Sequence, residues 1–433
     1  MCLATISRQW RCLTFPKTMH TSLNGMDIAM QTDKIIPNSG IAAKGGMTGG
    51  YMRGALLTAA TALAFILSAP AQAQTEQTVP PAQTNQSAQT GPNDQATPPS
   101  QTANKDDNKA ALQNAGSAAS AVVFMYHRFD EGEYPSTNTR VDQLSAHISE
   151  LGKSKYHVMG VADIVSAISA GKALPDRAIG ITVDDAYRSF YSVAWPMFKK
   201  AGLPVTVFVS TSQLDAGYSS YMTWDMLRDL VKQGVTVGGH SDNHAHLSSV
   251  PIAQTRAELE NSAKRFKQEL GFVPELFAYP YGEADTEVQQ AVRDAGYKAA
   301  FGQQSGGFDR SDDMFYLPRF ALNEHYGSLD RFELAANSLP LVVSDLTPNN
   351  YTLQRNPPAF GFTLKHPARD VKCYPSEGTA TMSRLGDERV EVRLDGPVSP
   401  GRWRINCTAG GPNGRWRWLG MLYTVPKGLK NSD

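Results

Sequence analysis

Between residues 121 and 337 short apolar runs alternate with amphipathic stretches, and few architectures satisfy that pattern. The runs at 122–126, 179–183, 205–209, 235–239, 276–280, 298–301 and 316–320 have strand length and are mostly rich in Val, Ile, Phe and Leu. Helical periodicity fills intervals at 161–170, 186–200, 224–233, 252–270, 283–295 and 329–337. Strands that are apolar on both faces need cover on both faces, which crossover helices on a parallel sheet provide. The expectation is an α/β domain over residues 119–345, its sheet open or closed into a barrel.

The flanks have a different texture. After residue 345 short alternating runs at 379–383, 389–394, 402–407 and 416–423 are broken by Gly and Pro clusters, which predicts a small antiparallel β-sandwich over 346–433. Ahead of the α/β pattern, Met52-Arg53-Gly54 precedes an apolar run at 55–67 that ends in Ala71-Gln72-Ala73. This is the pattern of a secretory signal peptide over 52–73, and the run is shorter than the roughly 20 residues a membrane span requires. Residues 1–51 have no such logic and read as a leader or a start assigned too early, with translation beginning at Met47 or Met52. The segment 74–118 is Gln, Thr, Pro, Asn, Ser and Ala with almost no large apolar residues, and reads as a disordered linker.

An exported chain works in the periplasm or outside the cell. Loss of the leader removes Cys2 and Cys12 and leaves Cys373 and Cys407, which are expected to form a disulfide in an oxidising compartment.

The 41 basic and 41 acidic residues cancel, which argues against nucleic acid held by one global positive field. The cancellation is uneven. Residues 119–345 carry 20 Lys+Arg against 28 Asp+Glu, and residues 346–433 carry 13 against 7. The basic second domain could therefore touch an anionic envelope polymer. Its Trp403, Trp416 and Trp418 lie near Arg402, Arg404, Arg415 and Arg417, and either stack on sugar rings or, more commonly for such residues, pack the sandwich core.

In parallel α/β domains chemistry gathers where strands end. His127 follows one apolar run, Asp184 and Asp185 a second, His240 a third, and Tyr281-Gly282 a fourth. Asp184 and Asp185 read either as a helix N-terminal acidic pair or, on extended backbone where neighbours point opposite ways, as one metal ligand and one substrate-facing carboxylate. His240 and His244 have the i, i+4 spacing that lets both bind one cation from a helical turn, with His246 as a structural neighbour. Asp185 would complete a His2Asp set with open coordination positions.

The segments TVDDA (182–186), HSDNHAHL (240–247) and FAYPYG (277–282) resemble, in order and spacing, the first three motifs of the polysaccharide deacetylases with a NodB homology domain, carbohydrate esterase family 4. VVFMYHRF (122–129) is similar to the subgroup that opens with Tyr-His. The resemblance covers residues 120–340. It implies a distorted (β/α) barrel, a divalent metal, typically zinc, on Asp185, His240 and His244, and Asp184 as general base. It further implies that the backbone N–H of Tyr281 stabilises an oxyanion and that a histidine protonates the leaving amine, His127 in the first place and His325 as runner-up. Two departures stand out. Ala186 replaces the usual glycine, and Phe277, Ala278 and Tyr279 occupy the place of an arginine that orients the base, a charge that Arg319 is expected to supply.

The function so implied is removal of N-acetyl groups from a polysaccharide or oligosaccharide containing N-acetylglucosamine. The alternatives are an O-acetyl polysaccharide esterase and a catalytically inactive envelope glycan-binding protein.

Overall fold

A computed structural model describes residues 120–368 and 370–429. The signal peptide, the linker and the early start read from residues 1–118 lie outside the described residues. The parallel strands fall where the apolar runs are: β1 at Ala121–Tyr126, β2 at Ala178–Val183, β3 at Thr206–Val209, β4 at Thr236–Gly239, β5 at Leu276–Ala278 and β6 at Ala299–Phe301. Their hydrogen-bonded order follows the chain, and every β1 and β2 residue is buried. A short strand at His157–Val158 pairs alongside β2.

The sheet curls until its ends meet. A hairpin-like return, β7 at Gly307–Phe308, runs antiparallel to β1, and β8 at Phe320–Ala321 runs parallel to it. Leu317 bridges Phe301 of β6 while Phe320 pairs with Phe124 of β1, so the segment 317–320 spans the gap between first and last strands. The result is a distorted (β/α) barrel. The strand expected at 316–320 is thus a closure segment, because its residues divide their hydrogen bonds between the two edges.

Eight α-helices among the described residues flank the barrel: α1 Val141–Leu151, α2 Val161–Ser169, α3 Trp195–Lys200, α4 Thr211–Asp215, α5 Trp224–Lys232, α6 Ile252–Leu270, α7 Thr286–Asp294 and α8 Leu329–Ala336. α6 matches the periodicity at 252–270 and stops at Gly271, whose φ of 83° gives the left-handed cap that closes its last turn. α1 was not anticipated, although Leu144, Ile148 and Leu151 have helical spacing. Helix formation expected from 186 starts later, because residues 184–187 form a turn. No helix among the described residues is long and apolar enough to cross a membrane.

Residues 339–425 contain two four-stranded sheets. One has the order β9-β16-β15-β12, with β9 Leu339–Pro340, β12 Lys372–Pro375, β15 Gly401–Gly410 and β16 Trp416–Val425. The other has the order β10-β11-β14-β13, with β10 Val343–Thr347, β11 Ala359–Leu364, β13 Ala380–Leu385 and β14 Arg389–Leu394. β9 and the start of β10 lie ahead of residue 346. Phe360, Phe362, Trp403, Ile405 and Tyr423 fill the space between the sheets. Cys373 and Cys407 are register partners on β12 and β15 and form the expected disulfide.

The three tryptophans have separate fates. Trp403 is in the sandwich core, Trp418 packs on Phe320 of the barrel with ring centroids 5.3 Å apart, and Trp416 is 46% exposed. Core packing therefore accounts for one of the three, since β16 turns one face toward the barrel.

Candidate active site

The acidic pair follows β2, and backbone conformation rather than strand alternation separates its two members. Asp184 continues the ladder, its N–H donating to the Tyr126 carbonyl at 2.8 Å. Asp185 and Ala186 then take φ values of 71° and 58°. Such left-handed turns disfavour residues with a Cβ, and Ala186 is the smallest residue after glycine that fits there. The extended backbone expected for the pair is replaced by this turn, which sends the carboxylates to different partners.

Asp184 is fully buried and accepts both Nη atoms of Arg319, at 2.7 and 2.8 Å. Arg319 also donates to Thr182 Oγ1 and to the Gly302 carbonyl, both at 3.0 Å. The charge missing from the third motif is thus present from the barrel closure, where Arg319 sits between the residues that join β6 to β1. Burial pushes the Asp184 carboxyl up, but Arg319, His240 and His127 outweigh it and hold it below the usual carboxylate range.

Asp185 meets the histidines. Its Oδ1 lies 3.2 Å from Nε2 of both His240 and His244. Burial would raise its pKa, yet the two imidazoles hold it well below the ordinary value. His240 follows β4, and Gly238 just before it packs so closely that a Cβ there would lie 2.3 Å from the Phe208 ring. The His240 Nδ1–H donates to the Ala278 carbonyl at 2.7 Å, which leaves Nε2 as the lone-pair atom.

His244 reaches the same point by a different route from the one its spacing suggests. Residues 240–246 are a loop, not a helical turn, with Ser241 and His244 at φ 63° and 56°. The His244 N–H donates to Ser241 Oγ at 3.0 Å. Glu258 on α6 accepts the N–H groups of Asp242 and Asn243 at 3.1 and 2.7 Å. Nothing in the sequence marks Glu258, which is one of several charged residues along α6.

The remaining side chains complete the rim. Tyr281 has φ 61° and ψ 0°, and its ring stacks on His246 at 3.7 Å and meets His244 edge-on at 4.5 Å. His246 Nδ1 bonds buried Glu283 at 2.7 Å, another partner not anticipated. His127 follows β1. Burial depresses its pKa, Asp185 and Asp184 pull it back up, and the net position is below an ordinary histidine. His325 is exposed against Tyr326 in the loop before α8. The structure therefore gathers Asp184, Asp185, His240, His244, Tyr281 and Arg319 at one end of the barrel, with His127 in the field of both acids.

Asp185, His240 and His244 offer ligand atoms within 4.8 Å of one another. Asp185 Oδ1 and His240 Nε2 are buried without a hydrogen bond of acceptable geometry. Buried polar atoms rarely go unpaired, and two that face a third donor suit a divalent cation, as does the nitrogen and carboxylate chemistry of the set.

The polysaccharide deacetylase family model matches residues 171–300, which hold the acidic pair, both histidines and the Pro-Tyr-Gly turn. A provisionally named polysaccharide deacetylase of Bacillus subtilis strain 168, YxkH, is 24% identical over 257 residues, 59% of this chain and 88% of its own length. The poly-beta-1,6-N-acetyl-D-glucosamine N-deacetylase of Escherichia coli K12 is 25% identical over 232 residues, 43% of this chain, and the match spans only 34% of that protein. Among solved structures, the Streptococcus pyogenes deacetylase PplD in complex with acetate aligns with a TM-score of 0.48 at 19% identity, over 51% of this chain and 99% of its own. The likeness to the polysaccharide deacetylase family therefore falls on the stretch of the barrel that carries the candidate site.

Proposed function

We propose that this protein is an exported, metal-dependent hydrolase that removes N-acetyl groups from a polysaccharide containing N-acetylglucosamine. The observation that carries the proposal is the division of labour between adjacent carboxylates: Asp184 is clamped by Arg319 and Asp185 faces His240 and His244. The match to the deacetylase family model and the named activity of the E. coli relative support the substrate class.

Asp185, His240 and His244 would hold the cation, most simply zinc given two imidazoles and a carboxylate. When bound, it supplies Lewis-acid polarisation and makes a neighbouring water more acidic. Asp184, kept ionised and oriented by Arg319, takes the proton from the attacking water. The Tyr281 N–H donates to the oxygen on which negative charge develops. His127, which lies in the field of both acids, passes a proton to the departing amine. Export is supported by the leader pattern and by the Cys373–Cys407 disulfide, which suits an oxidising compartment. The basic second domain is the part suited to an anionic polymer of the envelope.

The test is acetate release from N-acetylglucosamine oligomers by wild type and Asp184→Asn, with metal content measured on both. Release by wild type and none by the variant, at equal metal content, is the expected result. Bound metal without release in wild type would leave a glycan-binding protein, and release from O-acetylated substrates alone would leave an esterase.

A further inference from the structure

The Pro-Tyr-Gly turn is held from outside the barrel. Tyr281 is left-handed, at φ 61° and ψ 0°, a conformation that residues with a Cβ rarely adopt. Such strain persists only where the surroundings over-determine it. Within the barrel the turn closes on itself through the Gly282 N–H, which donates to the Tyr279 carbonyl at 2.9 Å.

Several further restraints lead to the second domain. Arg402 on β15 donates from Nη1 to the Tyr281 carbonyl at 3.1 Å and to Gln303 Oε1 at 3.4 Å. Its guanidinium lies 5.8 Å from the Tyr281 ring centroid, and its Nε is 4.0 Å from the buried Glu283 carboxylate. The Tyr316 hydroxyl donates to the Gly282 carbonyl at 2.9 Å and lies 3.3 Å from the Leu422 carbonyl of β16. The loop 302–306 is trapped between the two domains: a Cβ on Gly282 would sit 2.6 Å from Gln303, and one on Gly420 of β16 would sit 2.1 Å from the Ser305 carbonyl oxygen.

We propose that Arg402 is a positioning residue for the reaction, and that the second domain forms the outer wall of the oxyanion turn. This rests on the reading of the Tyr281 N–H as the oxyanion donor. The peptide plane that presents this N–H and the plane that carries the Tyr281 carbonyl share one Cα. Holding the carbonyl therefore limits the direction in which the N–H points. A charged donor suits the task, because hydrogen bonds from ionised groups are about twice as strong as neutral ones. Sequence position hides the relationship, since Arg402 lies 121 residues from Tyr281.

The test uses the full metal-loaded protein and compares wild type, Arg402→Met, Arg402→Lys and an interface control, Arg415→Met. Arg415 joins the domains elsewhere, through Asp176 and the Asn337 carbonyl. Three quantities are read: acetate release, amide hydrogen exchange over residues 279–283, and the thermal midpoint. Removing an oxyanion donor outright costs about 100- to 1,000-fold, so misdirecting one should cost about tenfold or more in kcat. Arg402→Met is expected to lower kcat by that factor with KM little changed and to speed exchange in the turn, with partial rescue in Arg402→Lys. Arg415→Met should leave kcat and the turn as in wild type.

A rise in KM alone would make Arg402, which is 36% exposed, a substrate contact and overturn the proposal. A kcat loss reproduced by Arg415→Met would overturn it as well, since interface stability would then explain both. Faster exchange with unchanged kcat would overturn it by refuting the role given to Tyr281. Exchange reads the turn whether or not the protein turns over. A wild type that releases no acetate would thus count against the deacetylase reading, whereas unchanged exchange in Arg402→Met counts against the positioning.

Discussion

Arg319 grips Asp184 through both Nη atoms, at 2.7 and 2.8 Å, with neither side chain exposed to water. A lone buried carboxylate would be costly to keep charged, whereas one held in a bidentate fork is both ionised and oriented. Breaking such a pair on one side leaves an uncompensated charge and costs roughly 3–5 kcal/mol. Arg319→Met should therefore lose activity by about 100- to 10,000-fold, the range that general acid–base catalysis contributes, and should also unfold at lower urea. Arg319→Lys keeps a charge but not the fork, and should recover stability better than activity. Acetate release and urea titration on the same preparations check both parts, and a fully active Arg319→Met would remove Arg319 from the reaction.

The loop that carries His244 depends on Glu258, which accepts the N–H groups of Asp242 and Asn243 from below. Glu258→Ala leaves the two backbone donors without their acceptor and frees a left-handed segment to relax. Groups that orient metal ligands typically matter 10- to 100-fold in affinity, so the variant is expected to bind zinc about that much more weakly. Titrating metal back into chelated protein measures it directly. Equal affinity in wild type and variant would mean that the loop is shaped by its own sequence alone.

How far the sequence could be read follows from where each signal lies. The parallel strands were legible because burial on both faces leaves continuous apolar runs, as in β1 and β2. The candidate site could be located because His127, Asp184, His240 and Tyr281 all follow such runs. What could not be read is conformational. The left-handed backbone at Asp185, Ala186, Ser241 and His244 is adopted by residues other than glycine, so no residue type announces it. Spacing suggested a helical turn for His240 and His244, and the two converge through a loop. Long-range partners were equally hidden: Glu258, Glu283 and Arg402 are ordinary charged residues until folding brings them to the site. Arg319 could be proposed only because a charge was missing elsewhere.

β1 is tied to the helices by a buried histidine that had no signal of its own. His147 on α1 is fully buried, with Tyr126 Oη 3.1 Å from Nδ1 and the Gly327 carbonyl 2.9 Å from Nε2. A neutral ring that accepts from Tyr126 and donates to Gly327 satisfies both contacts, and its face stacks on Phe332 at 4.2 Å. Burial pushes its pKa down to about 4, from an ordinary value of 6.5. The unfolded chain therefore binds the extra proton between those values while the folded protein does not, and stability falls as pH drops from about 6.5 toward 4. The loss can reach roughly 3 kcal/mol. His147→Gln should be less stable at pH 7.5 yet lose less on acidification, a comparison that urea unfolding at pH 7.5 and 5 would make. Parallel losses in both proteins would assign the acid sensitivity to other groups.

The disulfide acts on a different part of the chain. Cys373 and Cys407 close a loop with a sequence separation of 34, and Cys407 is fully buried in the sandwich core. In the chain-entropy account, closing a loop of that length stabilises by roughly 3–4 kcal/mol. The benefit belongs to the second domain, whose β15 also carries Arg402. Reduction should therefore lower the unfolding midpoint of that domain first, and at urea concentrations where only the sandwich has opened, the Tyr281 turn should lose its outer support. Cys373→Ser with Cys407→Ser, compared with wild type with and without reductant, separates loss of the bridge from side effects of the reductant on bound metal. Following fluorescence and acetate release along the same urea series gives the order of events. If activity in the double variant persists after the sandwich has unfolded, the barrel holds the turn unaided.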